Sequence, residues 1–402
     1  MSRVDDDGIG ARVAMLRKQR GLSQQRLATE AHLSKSLLSK VETGQKPATQ
    51  PFVAATARAL GAHITDLTGQ PYRGATVSED AVHATIPALR RELAAYQMPP
   101  QPGTVPASLH ELAAQVETTS KLRHGTALTK LGQALPDLLA RLRAASYRYD
   151  GHELQQVYGL CAEAYDSARQ LAYKLGYIDL ASLIADRYGW AAAQSQDPLM
   201  LCVSDTMRAH EFISVGDYQA AYRVLSDSRE RLDGELARAD APTLSVYGYL
   251  HLESGLASAR AGDGDTTGDH LNEAVEVASR IGEDRDDYRL YFGPTNVGIW
   301  SVALAVEQGN GTEAVKRARS VQIGDDTPRE RAGHHYVDLA RGQLWHGDRH
   351  GSLDSLLAAE KISPELTRNH PMVRETTRTL IRLERQSKDS LRGLANRIGL
   401  PD

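Results

Sequence analysis

Residues 21–47, GLSQQRLATEAHLSKSLLSKVETGQKP, hold the side chains whose types and spacing could do chemistry. Lys35, Ser36, Ser39 and Lys40 fall on one side of a short segment whose other side is Leu37, Leu38 and Val41. Lysine ammonium groups can donate to guanine O6 and N7, and serine hydroxyls can serve a base edge or a phosphate. A rigid helix presenting this set therefore has what reading the major groove requires. Ser34 stands where the N-cap of that helix belongs, and Ser23 where the N-cap of the preceding one belongs, with Leu27, Ala28 and Ala31 as its apolar stripe. The spacing thus predicts two short helices around a tight turn. A first helix is predicted over Ile9–Gln19, with Ile9, Val13 and Leu16 on one face, and a closing helix over Pro51–Leu60, ending at Gly61.

The run Gly21-Leu22-Ser23-Gln24, Leu27-Ala28 and Ala31, then Ser34, Leu38-Ser39, Glu42, Gly44 and Pro47, resembles the lambda-repressor-like (Xre-type) helix-turn-helix family over about residues 8–70. The resemblance implies that Lys35, Ser36 and Lys40 face the groove of an operator in double-stranded DNA, with Ser34 and Ser39 beside them. It also implies that Gln24 clamps a phosphate at a helix N-terminus and that Gln45 and Lys46 touch the DNA backbone. His32 occupies a turn position where the family often has glycine; histidine is enriched in the left-handed region, so the turn is still expected.

The net charge of −4 divides unevenly. Residues 8–75 carry ten Lys/Arg against three acids; the first 75 residues sum to +5 and the remainder to −9. A basic head on an acidic body fits nucleic-acid contact confined to the head. Cys161 and Cys202 read as small buried apolar residues of a reducing compartment. No apolar run approaches the roughly 20 residues that span a bilayer, and MSRVDDDG lacks the basic and apolar regions of a secretion signal. A cytoplasmic protein that does not enter a membrane is expected.

Three parts are predicted: a DNA-binding head at 1–75, a connecting segment at 76–105, and helical repeats at 106–402. The connection holds one amphipathic helix over Ser78–Ala95, marked by Val82, Ile86, Leu89 and Leu93, then the Pro-rich break Met98–Gly103, where relative motion is expected. Beyond it, Gly176-Tyr177, Gly216-Asp217, Gly262-Asp263, Gly309-Asn310 and Gly347-Asp348 recur at spacings of 40, 46, 47 and 38. Each marks a helix, a left-handed glycine and a return helix. Such pairs stack into a curved solenoid with a concave face; an irregular helical bundle is the alternative. The predicted fold is all-α, a helix-turn-helix bundle followed by an α-solenoid.

FGPTNVGIWSVALAVEQGN (292–310) and HHYVDLARGQLWHGD (334–348), with AAEKISPEL and NHPMVRE, resemble the tetratricopeptide-like sensor domains of actinobacterial Xre-type regulators. That resemblance implies dimerisation and the sensing of a small-molecule or peptide effector. Asn296, whose amide can pair with a peptide's N–H and C=O together, joins Arg208, Tyr247, Tyr291 and His334 as the candidate concave face. Asn296 also follows Pro294-Thr295, where it can instead stabilise a helix start. Trp190, Trp300 and Trp345 read as core anchors.

Enzymatic signatures fail. A calcium loop starting at Asp263 would need its twelfth ligand at Ala274. Gly262-Asp263-Gly264 follows a helical segment and not a strand. His334, His335, His346 and His350 have no Cys or acid at zinc spacing. No catalytic activity, cofactor or metal is expected. The reading is a homodimeric, sequence-specific transcriptional regulator; a protein-binding adaptor that uses the head for localisation remains open.

Overall fold

The structure, a computed structural model, describes residues 8–73, 80–100, 107–234, 236–384 and 389–400. Among them the regular elements are helical, joined by an isolated antiparallel bridge between Arg285 and Phe292. The fold is all-α: an N-terminal helix-turn-helix bundle followed by a helical solenoid.

The bundle comprises α1 (Ile9–Gln19), α2 (Gln24–Glu30), α3 (Lys35–Glu42), α4 (Gln50–Leu60) and α5 (Ile64–Thr68). Val13, Leu27, Leu38, Val41, Phe52 and Leu67 form its core. The α5 helix goes beyond the sequence reading, which closed the bundle at Gly61. It is too short to show a period, and its start is fixed by a reciprocal cap between His63 and Asp66.

The predicted connecting helix begins later than Ser78: a 3₁₀ turn at His83–Thr85 leads into α6 (Ile86–Ala94). Residues 78 and 79 lie outside the described residues, as do 101–103 of the Pro-rich break. Val82, Ile86, Leu89 and Leu93 are buried in the same core as Leu131 and Leu138. The helix therefore packs as the first layer of the solenoid.

The solenoid continues with α7 (Leu109–His124) and α8 (Leu128–Ser146), then α9 (Gly151–Lys174) and α10 (Ile178–Ser195), α11 (Pro198–Ser214) and α12 (Tyr218–Asp233), and α13 (Ala241–Ala261) and α14 (Gly264–Ile281). It ends with α15 (Pro294–Glu307) and α16 (Gly311–Ala318), α17 (Arg329–His346) and α18 (Arg349–Ile362), α19 (Pro364–Asn369), α20 (Pro371–Leu383) and α21 (Asp389–Arg397). Gly176, Gly216, Gly262, Gly309 and Gly347 have φ between +74° and +96°. After four of them, Asp217, Asp263, Asn310 and Asp348 each accept a hydrogen bond from the backbone N–H three residues on. Glycine ends one helix and its Asp or Asn neighbour starts the next.

Curvature brings α7 against α17. Arg123 donates to Glu330 Oε2 at 3.3 Å, and Lys174 donates to Glu330 Oε1 at 2.6 Å. Burial opposes the charge on Glu330, but Lys174 and Arg123 outweigh it and hold the carboxyl well below its usual range.

Candidate nucleic-acid interface

The two helices of the motif start where their serines place them. Ser23 Oγ accepts from the Arg26 N–H at 3.2 Å and Ser34 Oγ from the Leu37 N–H at 3.1 Å. His32 adopts φ +54°, the left-handed geometry expected of the turn. On α3, Leu38 and Val41 point into the core while Lys35, Ser36 and Lys40 are exposed and Ser39 is half-buried. Ser34, Gln45 and Lys46 are exposed at either end of this face.

Glu42, the last residue of α3, locks its angle. Arg17 of α1 donates to Glu42 at 2.7 and 2.9 Å and to the Leu22 carbonyl at 2.9 Å. Burial opposes the charge of Glu42, but the hydrogen bonds from Arg17 and Gln24 hold its pKa below the ordinary range. Gln24 Nε2 donates to Glu42 Oε2 at 2.7 Å, so one N–H of the amide expected on a phosphate is engaged within the head and its second remains. Gly10 permits the close approach of α1: a Cβ there would lie 1.9 Å from the Val41 carbonyl oxygen.

The opposite side of the head is seated on the solenoid. Arg58 donates to the Gly216 carbonyl at 2.9 Å, Gln70 to the Asn369 carbonyl at 3.1 Å, and the Ala48 N–H to Glu375 at 3.0 Å. Met372 of α20 joins the head's own core, and the Arg374 guanidinium lies 3.8 Å from the Tyr72 ring centre. Arg382 reaches the Gly44 carbonyl at 3.4 Å, just short of Gln45 and Lys46. This seating leaves the polar face of α3 turned to solvent.

In the solenoid, the five residues expected on one concave face are not brought together. Arg208 is exposed in a groove beside Asp186 and Trp190. Tyr247 stacks near His251, with ring centres 4.8 Å apart. Tyr291 lies in a surface recess beside His124 and Asp286. Asn296 is fully buried; its Nδ2 donates to the Tyr291 carbonyl and its N–H to Asp284 at 3.4 Å. The amide thus ties the turn before α15, while Asp284 accepts the Thr295 and Asn296 N–H groups that start the helix, and Asn296 does not border the central cavity. Only His334 of the five borders the central cavity of about 220 Å3, together with Arg169, Glu253, Arg260, Arg331 and Arg341.

The sequence reading missed these charged residues, although a signal existed. Arg331, His334, Asp338 and Arg341 recur at intervals of three, four and three, which puts them on one face of α17. Arg260 and Arg341 both pair with Glu307, at 2.9 and 3.0 Å, and Arg341 also pairs with Asp338 at 2.8 Å. Burial opposes the charge of Glu307, and the two arginines keep its pKa lowered. Burial pushes the His334 imidazole down to about 4, so it stands neutral at pH 7.

Residues 9–68 match the helix-turn-helix domain family, which covers α1 to α5. Comparison with curated proteins yields no match for the chain. The helix-turn-helix domain supports a DNA-binding regulator. Among the described residues, no helix is long and apolar enough to cross a membrane.

Proposed function

We propose that the chain is a cytoplasmic, sequence-specific transcriptional regulator of the Xre type, without catalytic activity, whose tetratricopeptide-like solenoid dimerises and responds to a small molecule or peptide. The observation that carries this reading is the orientation of the head. Lys35, Ser36 and Lys40 are exposed on α3, while contacts from Ala48, Arg58 and Gln70 seat the head on the solenoid. In a dimer the two α3 helices enter successive major grooves, with half-sites about 34 Å apart or a small multiple of that. Sensing is supported by Gln50, at the start of α4, which borders the central cavity: a molecule held there touches the solenoid and the head at once. Such a ligand shifts the arrangement of heads only by as much as it favours one arrangement, and a shift from 1:99 to 99:1 takes about 5.5 kcal/mol.

Selection of binding fragments from genomic DNA by the full chain, followed by footprinting, tests this reading. The expected result is a recurrent site with two protected half-sites related by two-fold symmetry. Recovery of fragments sharing no site, with affinity set only by salt, contradicts sequence-specific regulation. A polypeptide that co-purifies in stoichiometric amount, with no preferred DNA site, supports the adaptor instead.

A further inference from the structure

We propose that the central cavity binds a small zwitterion of the amino-acid class, with its carboxylate on the guanidinium side and its ammonium on Glu253. This inference rests on the reading of the solenoid as a sensor and names the chemistry of its ligand. Glu253 and Arg341 line the cavity and are each 5% exposed. Among the described residues, Glu253 Oε2 and Arg341 Nη2 have no hydrogen-bond partner, and neither do Arg169 Nε and Arg331 Nε in the same wall. His210 Nδ1 lies 3.7 Å from Glu253 Oε2, beyond hydrogen-bond distance.

A buried charge with open hydrogen-bonding capacity is costly, and the cavity holds such capacity in both signs. A simple anion would satisfy the arginines and be repelled by Glu253; a simple cation would meet the reverse. A zwitterion satisfies both. Guanidinium suits a carboxylate because its donors match the two oxygens. Tyr249 and Trp300, with ring centres 6.0 Å apart and nearly perpendicular, give the same cavity an aromatic wall for the remainder of the ligand. A cavity of about 150 Å3 holds benzene. The volume of about 220 Å3 here therefore suits a molecule of roughly ten non-hydrogen atoms, the size of leucine or phenylalanine.

Thermal-shift and calorimetric titration of the full chain with the twenty free L-amino acids, and with the N-acetyl and carboxamide forms of each, test the proposal. At least one free amino acid should raise the melting temperature, and blocking either of its charges should weaken binding at least tenfold. Glu253→Gln should weaken it by a similar factor, while Arg208→Ala, outside the cavity, should leave it unchanged. The comparison of free and blocked probes uses the wild-type chain and so does not depend on how a variant folds. No shift from any of the twenty, or equal binding of the blocked forms, overturns the proposal. A chain that recognises its DNA site yet binds no zwitterion overturns this inference and leaves the regulatory reading standing.

Discussion

In the head, Lys35, Ser36 and Lys40 of α3 stand in solvent on a helix whose apolar side is buried; in the solenoid, Arg123, Arg341, Glu253 and Glu330 are almost wholly enclosed. Charged side chains are thus put to opposite uses. Exposed charges contribute little to the stability of the head and are available to an outside partner. Enclosed charges interact strongly because water does not screen them, and each must be balanced within the protein or by a ligand. The head is built for contact with a long polyanion and the solenoid for an internal balance of charge.

Variants in the two regions should therefore fail differently. The largest effect is expected from Glu330→Gln, which leaves Lys174 and Arg123 without their buried carboxylate; urea denaturation should show a loss of about 3–5 kcal/mol. A loss below about 1 kcal/mol, the range of surface pairs, would erase the contrast.

Next is acid sensitivity of the solenoid. Burial pushes His251 down to about 3 and His270 and His335 to about 4, and His251 Nδ1 lies 3.0 Å from His270 Nδ1, an arrangement that needs at least one neutral ring. The unfolded chain takes up these protons near pH 6.5, whereas the folded chain resists them until about pH 4 or below. The stability they contribute is full above pH 6.5 and is lost as pH falls towards 4, on the order of a few kcal/mol in sum. Melting temperatures measured from pH 7.5 down to 4.5 should fall, and His251→Phe should flatten the curve; a flat wild-type profile contradicts the assignment.

Gly10→Ala sets a methyl group against the Val41 carbonyl and should cost the head about 1–3 kcal/mol, readable as earlier loss of DNA binding on heating. Ser34→Ala removes the cap of α3 and should cost about 1 kcal/mol without altering the exposed lysines.

The two regions also differed in how much their sequences disclosed. The head's caps, its buried stripe and the left-handed turn at His32 are local, set by residues a few positions apart, and were legible. So were the glycine turns of the solenoid, because Gly followed by Asp or Asn carries both the stop and the start of a helix. Of the stripe Arg331, His334, Asp338 and Arg341 only His334 was legible, since a polar stripe on a helix has the same spacing whether it faces bulk water or a cleft between helices. Asn296 drew attention for its amide, yet that amide holds the chain reversal at Tyr291. The seating of the head depends on Met372, Asn369 and Glu375, some 300 residues distant, and no periodicity connects them to Ala48 or Gln70.

The central claim, that the exposed face of α3 reads DNA, is tested most directly by fluorescence anisotropy of the full chain on its selected site and on a scrambled one. The wild type should prefer its site, and Lys35→Ala with Lys40→Ala should each remove about 1–3 kcal/mol of that preference, with helical content and melting temperature unchanged. Equal preference in the wild type and the double variant would contradict the account.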